Sequence, residues 1–374
     1  GHGSMLIYAL LHLTGHADMT IAQIRNFRQL GAITAGHPEF GHATGIETTT
    51  GPLGQGLANA VGMAMAERHL AAKFGTGLVD HHTYVIAGDG CLMEGISHEA
   101  ASMAGHMGLG RLIVLLDDNG ISIDGSTDLT VSDDTTGRFE AYGWQVLSVD
   151  GHDMGAVSDA IAAAKAADER PSLIRCRTVI GFGAPQKAGT SGAHGAPLGD
   201  AEIDGTRAAL GWTHAPFEIP ADIASAWRDV GSRGAAARAD WTKRHAAADS
   251  ADFDMAMRGD YSAAVNDAIV GWKETLAADP QKIATRVASQ KAIEALLPAC
   301  PALFGGSADL TGSNNTRGGG QHIFDRTNPA GTYIHYGVRE HGMAAAMNGI
   351  ALHGGAIPYG GTFLVFTDYC RPSI

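Results

Sequence analysis

Two apolar runs, each ending in an acid or an amide, constrain this chain more than any other feature. Thr83-Tyr84-Val85-Ile86-Ala87 leads into Gly88-Asp89-Gly90, and Leu112-Ile113-Val114-Leu115-Leu116-Asp117-Asp118 leads into Asn119. Both runs read as buried strands, being β-branched or aliphatic and of ordinary strand length. The segment from Glu94 to Gly108 between them reads as a helix, which makes the two strands parallel neighbours. Asp89 and Asn119, 30 positions apart, then sit at the carboxyl ends of these strands, where open α/β sheets bind ligands. A carboxylate and a carboxamide oxygen together suit a hard cation such as Mg²⁺, which also tolerates water and phosphate oxygens in its shell. A plain turn at Gly-Asp-Gly is the bland alternative.

Other phosphate-binding patterns fit poorly. A dinucleotide fingerprint needs glycine at position 93, which is Met93, and no GxxxxGK[ST] loop occurs. The net charge of −13 argues against a nucleic-acid partner. It leaves room for a local basic pocket that takes small anions. Cys91, Cys176, Cys300 and Cys370 form no CxxC pair and read as thiols of a reducing cytosol. No apolar run approaches the ~18 residues of a membrane span, so no membrane partner is expected. No secretory signal is present, and the expected location is the cytoplasm.

With 374 residues, two or three domains are expected. Residues 1–212 read as one α/β unit: a helix over 53–74, strands near 83–87, 112–116, 144–149 and 172–180, and helices near 94–107 and 155–168. This alternation implies a doubly wound parallel sheet. Strand signals vanish over 213–281, a polar, helical connector in which Trp227, Trp241 and Trp272 offer apolar anchors. Residues 282–374 begin a second α/β unit, with a helix at 287–297, a strand ending at Phe304, a strand at 332–336 and a helix at 340–353. The aromatic segment from Phe363 to Tyr369 follows. Both ends read as cut. A half-built second sheet would expose an edge and two faces that proteins normally cover. The expectation is that residues 1–374 alone are unstable or inactive.

The Gly-Asp-Gly…Asn pattern resembles the diphosphate motif of thiamine diphosphate (ThDP) enzymes. Over nearly its entire length the chain resembles the transketolase family, most closely the bacterial members. The segments that carry this are His2-Gly3-Ser4, Gly36-His37-Pro38-Glu39, Thr48-Thr49-Thr50-Gly51-Pro52-Leu53-Gly54-Gln55-Gly56 and Gly88-Asp89-Gly90-Cys91-Leu92-Met93-Glu94-Gly95. They continue with Asp117-Asp118-Asn119-Gly120-Ile121, Ala193-His194-Gly195-Ala196-Pro197-Leu198, Gly305-Gly306-Ser307-Ala308-Asp309-Leu310, Tyr336-Gly337-Val338-Arg339-Glu340-His341 and Gly361-Thr362-Phe363.

The resemblance implies a fold and a set of roles. Residues 1–212 would be the diphosphate domain and 282–374 the first part of the pyrimidine domain. The family's C-terminal domain would lie beyond the chain. Asp89, Asn119 and the backbone carbonyl of Ile121 would bind Mg²⁺, with Ca²⁺ or Mn²⁺ as substitutes. Gly51 would lie at the cofactor, and Gly90 would let the backbone approach the diphosphate. Leu53 would wedge under the bent cofactor, Asp309 would approach its thiazolium, and Glu94 would link the two sites of a homodimer. Glu340 would touch the pyrimidine N1′ and favour the imino tautomer, a role that asks for a buried carboxyl. Against this, a Glu at a helix start is by default a dipole partner.

Phe366 would stack on the aminopyrimidine. Phe363 and Tyr369 lie three residues to either side on one helical face, a stripe that more often means core. His2, His37 and His194 would face the donor hydroxyls or the diphosphate, since neutral imidazole can both donate and accept. Arg286 and Ser313 would hold the sugar phosphate, and Arg forks suit phosphate oxygens. His81 and His82 match no motif and are expected to be exposed. His98-Glu99 meets Ser102 instead of a second histidine, so no zinc helix arises. The segment 315–329 aligns with no family pattern.

The implied activity is transfer of a two-carbon ketol unit from a ketose phosphate, of the xylulose 5-phosphate type, to an aldose phosphate. The setting would be the pentose phosphate pathway or the Calvin cycle. A dihydroxyacetone-synthase-like relative with formaldehyde as acceptor is one rival. A non-catalytic fragment, or half of a split enzyme, is the other.

Overall fold

The computed structural model describes all residues, 1–374. Four parallel strands form the first sheet: β1 (Thr83–Gly88), β2 (Leu112–Asp118), β5 (Gln145–Asp150) and β6 (Ser172–Arg177), in the order β1-β2-β6-β5. Between β2 and β5 a small antiparallel hairpin pairs β3 (Ile121–Ser122) with β4 (Gly125–Ser126). The second sheet is also parallel, with β7 (Leu303–Ser307) between β8 (Tyr333–His335) and β9 (Ile357–Gly361). Four helices, Ala221–Ser232, Ala235–Ala247, Ala251–Arg258 and Ser262–Ala278, join the two units.

Helices cover both faces of the first sheet. Gln55–Phe74 and Gly95–Met107 pack on one face through Val61, Met65, Ala100, Met103 and Ala104, against Leu112, Val114 and Leu116 of β2. Met154–Lys165 covers the other through Ala160 and Ala164, against Ile113 and Ile174. The reading of both central runs as buried strands needs correction. β2 is buried, but β1 is an edge strand whose Tyr84 and Ile86 are 50% and 68% exposed. Burial depends on the neighbour a strand acquires in space, which its own composition does not encode. The strand expected over 172–180 ends at Arg177. The strand expected to end at Phe304 continues through Gly305 and Gly306 to Ser307.

One core joins both units. The helix Glu340–His353 lies against Gln55–Phe74, and Phe304, Ile334, Tyr336, Met343, Ala346 and Ile350 share a cluster with Leu57, Val61 and Met65. The two helices touch backbone to backbone. A Cβ on Gly62 would lie 1.9 Å from Ala346 O, and one on Gly349 would lie 1.8 Å from Asn59 O. Glycine inside a helix costs stability relative to alanine, so these two positions trade propensity for approach. Gly349→Ala should lower unfolding free energy by about 2 kcal/mol, because overpacking outweighs the gain in propensity. Urea unfolding checks this, and an unchanged or raised midpoint would contradict it.

The expectation of two bare faces on the second sheet is not met. Phe304, Gly305, Gly306, Ser307, Tyr333 and Ile334 are all buried. Exposed apolar surface gathers instead at Phe363, Leu364, Val365, Tyr369 and Ile374. Of the three connector tryptophans, Trp241 is packed into a core cluster. Trp241 Nε1 donates to Leu78 O at 2.9 Å, and the ring packs near Leu70, Val79 and Phe253. The unaligned segment 315–329 is pinned by buried Gln321, which accepts from Gly318 N at 2.9 Å and donates to Thr332 O at 3.1 Å.

A buried acid gives this core a pH dependence. Glu67, on the Gln55–Phe74 helix, is 4% exposed, and its Oε1 has no hydrogen-bond partner. Arg111 Nε lies 3.5 Å away. Burial pushes this carboxyl up from 4.5 to about 7, against the pull of Arg111 and Arg68. The folded state therefore binds this proton more tightly than the unfolded chain. The associated stability is complete below pH 4.5 and is lost as pH rises to about 7. Glu67→Gln should flatten that part of a stability-against-pH curve measured by urea unfolding. A slope the same as the parent's would contradict the assignment.

Candidate functional site

The carboxyl edge of the first sheet brings the central residues together. Gly88 pairs with Asp117 across β1 and β2, so Asp89 and Asn119 leave the sheet beside one another. Gly-Asp-Gly is not a plain turn. It is a strand-to-helix junction at which Asp89 opens the short helix Asp89–Met93. Asp89 Oδ2 accepts from Gly120 N at 3.0 Å. Asn119 Oδ1 accepts from Ile121 N at 3.0 Å, and its Nδ2 donates to Asp117 Oδ2 at 3.0 Å. Thr178 Oγ1 donates to the other oxygen of Asp117. Ile121 begins the β3–β4 hairpin, which turns the chain back over this edge.

The electrostatics are those of crowded carboxylates. Burial first, and then the Asp118 and Asp117 carboxylates, push Asp89 up to about 6, against the hydrogen bond from Gly120. Asp118 is also desolvated, yet Arg177 and Arg175 hold it below the ordinary carboxylate range. Their contacts to Asp118 Oδ2 are 2.9 Å and 2.5 Å. No group of three or more His, Cys, Asp or Glu side chains is arranged to hold a metal ion. The expected set is of another kind: one carboxylate, one amide and one backbone carbonyl.

Glycines shape the space beside this edge. A Cβ on Gly90 would lie 3.2 Å from Leu53 Cδ1, so the backbone after Asp89 runs close under that leucine. Gly54 has φ +82°, and a Cβ there would meet Ile96 Cγ2 at 2.6 Å and Glu94 Cβ at 3.0 Å. The Leu53 loop is thereby pressed onto the start of the helix that follows Gly-Asp-Gly. This oxygen-rich edge and bare cradle fit a magnesium-bound diphosphate. Glu94 is exposed at the N-cap of Gly95–Met107.

The three motif histidines also converge. Ring centroids of His2 and His37 are 4.9 Å apart, and those of His2 and His194 are 6.1 Å apart. A Cβ on Gly51 would sit 2.9 Å from His37 Cγ, so that glycine makes room for the ring. Burial first, then His37 and His194, hold His2 below the ordinary histidine range. A neutral His2 ring offers both a donor and an acceptor beside the other two.

A second group gathers in the other unit. Glu340 opens its helix and is 8% exposed, with Thr362 Oγ1 3.4 Å from its Oε1. Phe363, Phe366 and Tyr369 form a row, with centroids 5.6 Å and 5.9 Å apart. The single helical face expected for them is corrected. Phe363 is extended, a 3₁₀ turn spans Leu364–Phe366, and a short α-helix spans Thr367–Cys370. Nor is the stripe core, since Phe363 and Tyr369 are 42% and 66% exposed. Asp309 is exposed just past β7, with φ +61°. Arg286 and Ser313 are exposed on neighbouring helices, Thr285–Leu296 and Thr311–Asn314. Within one chain no hydrogen bond or ion pair joins Glu340, Phe366 or Asp309 to the Asp89–Asn119 group.

The expectation for His81 and His82 is corrected in part. His81 is exposed but stacks on His353, with Nε2 atoms 2.9 Å apart, and His82 is half-buried. Sequence reasoning also gave no role to residues that tie the units together. Glu99 Oε2 accepts from Gly342 N at 2.7 Å, and Arg339 donates to Ser102 Oγ at 3.1 Å. Gln55 meets His341. All these residues lie in or beside quoted motifs, but nothing in their spacing announces the contacts. All four cysteines are free. No helix is long and apolar enough to cross a membrane.

A parallel sheet with an acid and an amide at adjacent strand ends, beside a glycine-lined loop, defines an α/β protein with a candidate ligand site at its carboxyl edge. Residues 1–260 match the family described as transketolase, thiamine diphosphate binding domain, and residues 281–374 match the transketolase pyrimidine binding domain. The chain belongs to the transketolase family. It is 61% identical over 375 residues to a transketolase of Cereibacter sphaeroides, covering 100% of this chain and 57% of that relative. Its fold matches a transketolase from Leishmania mexicana with TM-score 0.91 and 42% identity, over 100% of this chain and 56% of that one. A Pichia stipitis transketolase in complex with sedoheptulose-7-phosphate matches with TM-score 0.88 and 39% identity, over 98% and 56%. The chain thus spans somewhat more than half the length of these relatives.

Proposed function

We propose that the chain forms the cofactor-binding part of a transketolase, which moves a two-carbon ketol group from a ketose phosphate to an aldose phosphate. One observation carries the reading: Asp89 and Asn119 leave adjacent parallel strands beside Gly90, where a Cβ would press on Leu53 Cδ1 at 3.2 Å. Family membership supports it, as does the sugar-phosphate complex of the Pichia stipitis relative. Residues 1–212 would serve the diphosphate, 282–374 the pyrimidine, and 213–281 connect them.

When bound, ThDP supplies an electron sink for the two-carbon unit. The chain's own residues bind, orient and move protons. Asp89, Asn119 and the Ile121 carbonyl hold Mg²⁺ (or Ca²⁺ or Mn²⁺), and Gly51 and Gly90 leave space for the diphosphate. Leu53 would supply an apolar contact to the cofactor. Glu340 holds a proton toward its pyrimidine, and Phe363, Phe366 and Tyr369 give that ring an apolar wall. Asp309 approaches the thiazolium, and Glu94 links neighbouring sites. His2, His37 and His194 hydrogen-bond the sugar hydroxyls, and Arg286 and Ser313 receive the phosphate.

No hydrogen bond or ion pair joins the Asp89 group to the Glu340 group within one chain, which supports a homodimer with each site shared between two copies. The exposed Phe363–Tyr369 surface is then the face turned toward the partner. The setting would be the cytosol, in the pentose phosphate pathway or the Calvin cycle. The test is ketol transfer from xylulose 5-phosphate to ribose 5-phosphate by the full-length gene product. Transfer that needs both ThDP and Mg²⁺ is expected, and no transfer with both present would overturn the reading.

A further inference from the structure

The helices Gln55–Phe74 and Glu340–His353 start at the same end of their packed pair. Gln55 meets His341 there, whereas Leu70, far along the first helix, crowds Gly355, just past the second. Each helix therefore begins at or beside a residue proposed to serve the cofactor: Leu53 precedes Gln55 by two positions, and Glu340 precedes His341. Gln55 is 8% exposed, and both ends of its amide are engaged. Its Nε2 lies 2.8 Å from His341 Nε2, and its Oε1 accepts from Ser373 Oγ at 2.9 Å. Ser373 is itself buried, and its carbonyl accepts from Asn348 Nδ2 at 2.8 Å, on the same helix as His341. One side chain thus ties the start of the first helix to the second helix directly at His341 and indirectly through Ser373.

The chemistry of this pair is directional. An amide nitrogen has no lone pair to offer, so Gln55 Nε2 must donate. The contact holds the ring orientation of the residue that follows Glu340 in the chain. A buried amide left without partners is costly, so the arrangement resists slippage.

We infer that Gln55 is a positioning residue: through His341 it holds the first turn of the Glu340 helix against the Leu53 loop, so that Glu340 keeps one orientation. The inference rests on the reading of Glu340 given above. Gln55→Met keeps the length of the side chain and removes both hydrogen bonds. In the full-length gene product it should lower kcat roughly tenfold to a hundredfold, as small misplacements do. KM for the ketose donor should move by less than about threefold, the split expected when uniform binding is untouched.

In cofactor-free protein, amide exchange of residues 340–344 should speed up about tenfold. His341→Leu should match these effects and add little to Gln55→Met in the double variant. His341→Gln, whose carbonyl can accept from Gln55, should recover most of the loss. Parent values of both kcat and exchange in Gln55→Met would overturn the proposal, as would additive losses in the double variant. Should Gln55→Met fail to fold, the comparison of His341→Gln with His341→Leu decides, and equal losses there overturn it. Failure of the parent to transfer ketol groups would instead reject the Glu340 reading, while the exchange measurement still judges the link.

Discussion

Glu340→Gln should lower ketol transfer by about 10²- to 10⁴-fold, the range for loss of a positioned acid–base group, while ThDP uptake persists. The carboxyl is 8% exposed at the start of its helix, and its closest recorded hydrogen-bond partner is the Thr362 hydroxyl at 3.4 Å. It therefore has capacity left for a ligand. Glutamine keeps the volume and can still donate a hydrogen bond, but it cannot give up a proton. Glu340→Ala removes both abilities and should cost at least as much. Steady-state kinetics beside calorimetric ThDP binding separates the two roles. If Glu340→Gln turns over within about threefold of the parent, a margin too small for lost proton transfer, the carboxyl is a structural cap and no more.

Asp89→Ala should weaken magnesium-dependent ThDP uptake by more than about a hundredfold, because supporting partners of metal ligands alone cost 10–100-fold. Asp89 is the only carboxylate in the expected ligand set. The carboxylates beside it are otherwise engaged: Asp118 by Arg175 and Arg177, and Asp117 by Asn119 and Thr178. Neither can move over to replace it without leaving a partner behind. Asp89→Asn keeps an oxygen and the bond from Gly120 N, and should fall between parent and alanine. Asn119→Ala should cost less than Asp89→Ala, since it removes a neutral donor. The melting-temperature shift on adding ThDP with Mg²⁺ gives a second readout, as a ligand bound only by the folded state raises stability. An undiminished shift in Asp89→Ala would remove Asp89 from the site.

The residues that could be read from the sequence are those whose signal is local. Two apolar runs place β1 and β2, and with them Asp89 and Asn119, because strand length and side-chain type suffice. The row of Phe363, Phe366 and Tyr369 was visible as a spacing, but not its exposure or its broken helix, since both depend on what packs nearby. Edge exposure of Tyr84 and Ile86 was hidden for the same reason. The contacts that join the units are longer-range still. Gln55 and His341 are 286 positions apart, Glu99 and Gly342 are 243 apart, and Ser102 and Arg339 are 237 apart. Single polar residues at such separations carry no periodic signal. Gly62 and Gly349 did carry a clue, since a glycine inside a strongly helical run hints at close backbone approach. What they approach, each other's helix, is a property of the folded pair.

The central claim is that Asp89 and Asn119 hold a divalent cation and, through it, the diphosphate of ThDP. Calorimetric titration of ThDP into the full-length gene product, with Mg²⁺ and then with the cation chelated, tests it most directly. Saturable uptake in Mg²⁺ that vanishes on chelation is the predicted result. No uptake in Mg²⁺, or the same uptake after chelation, would contradict it.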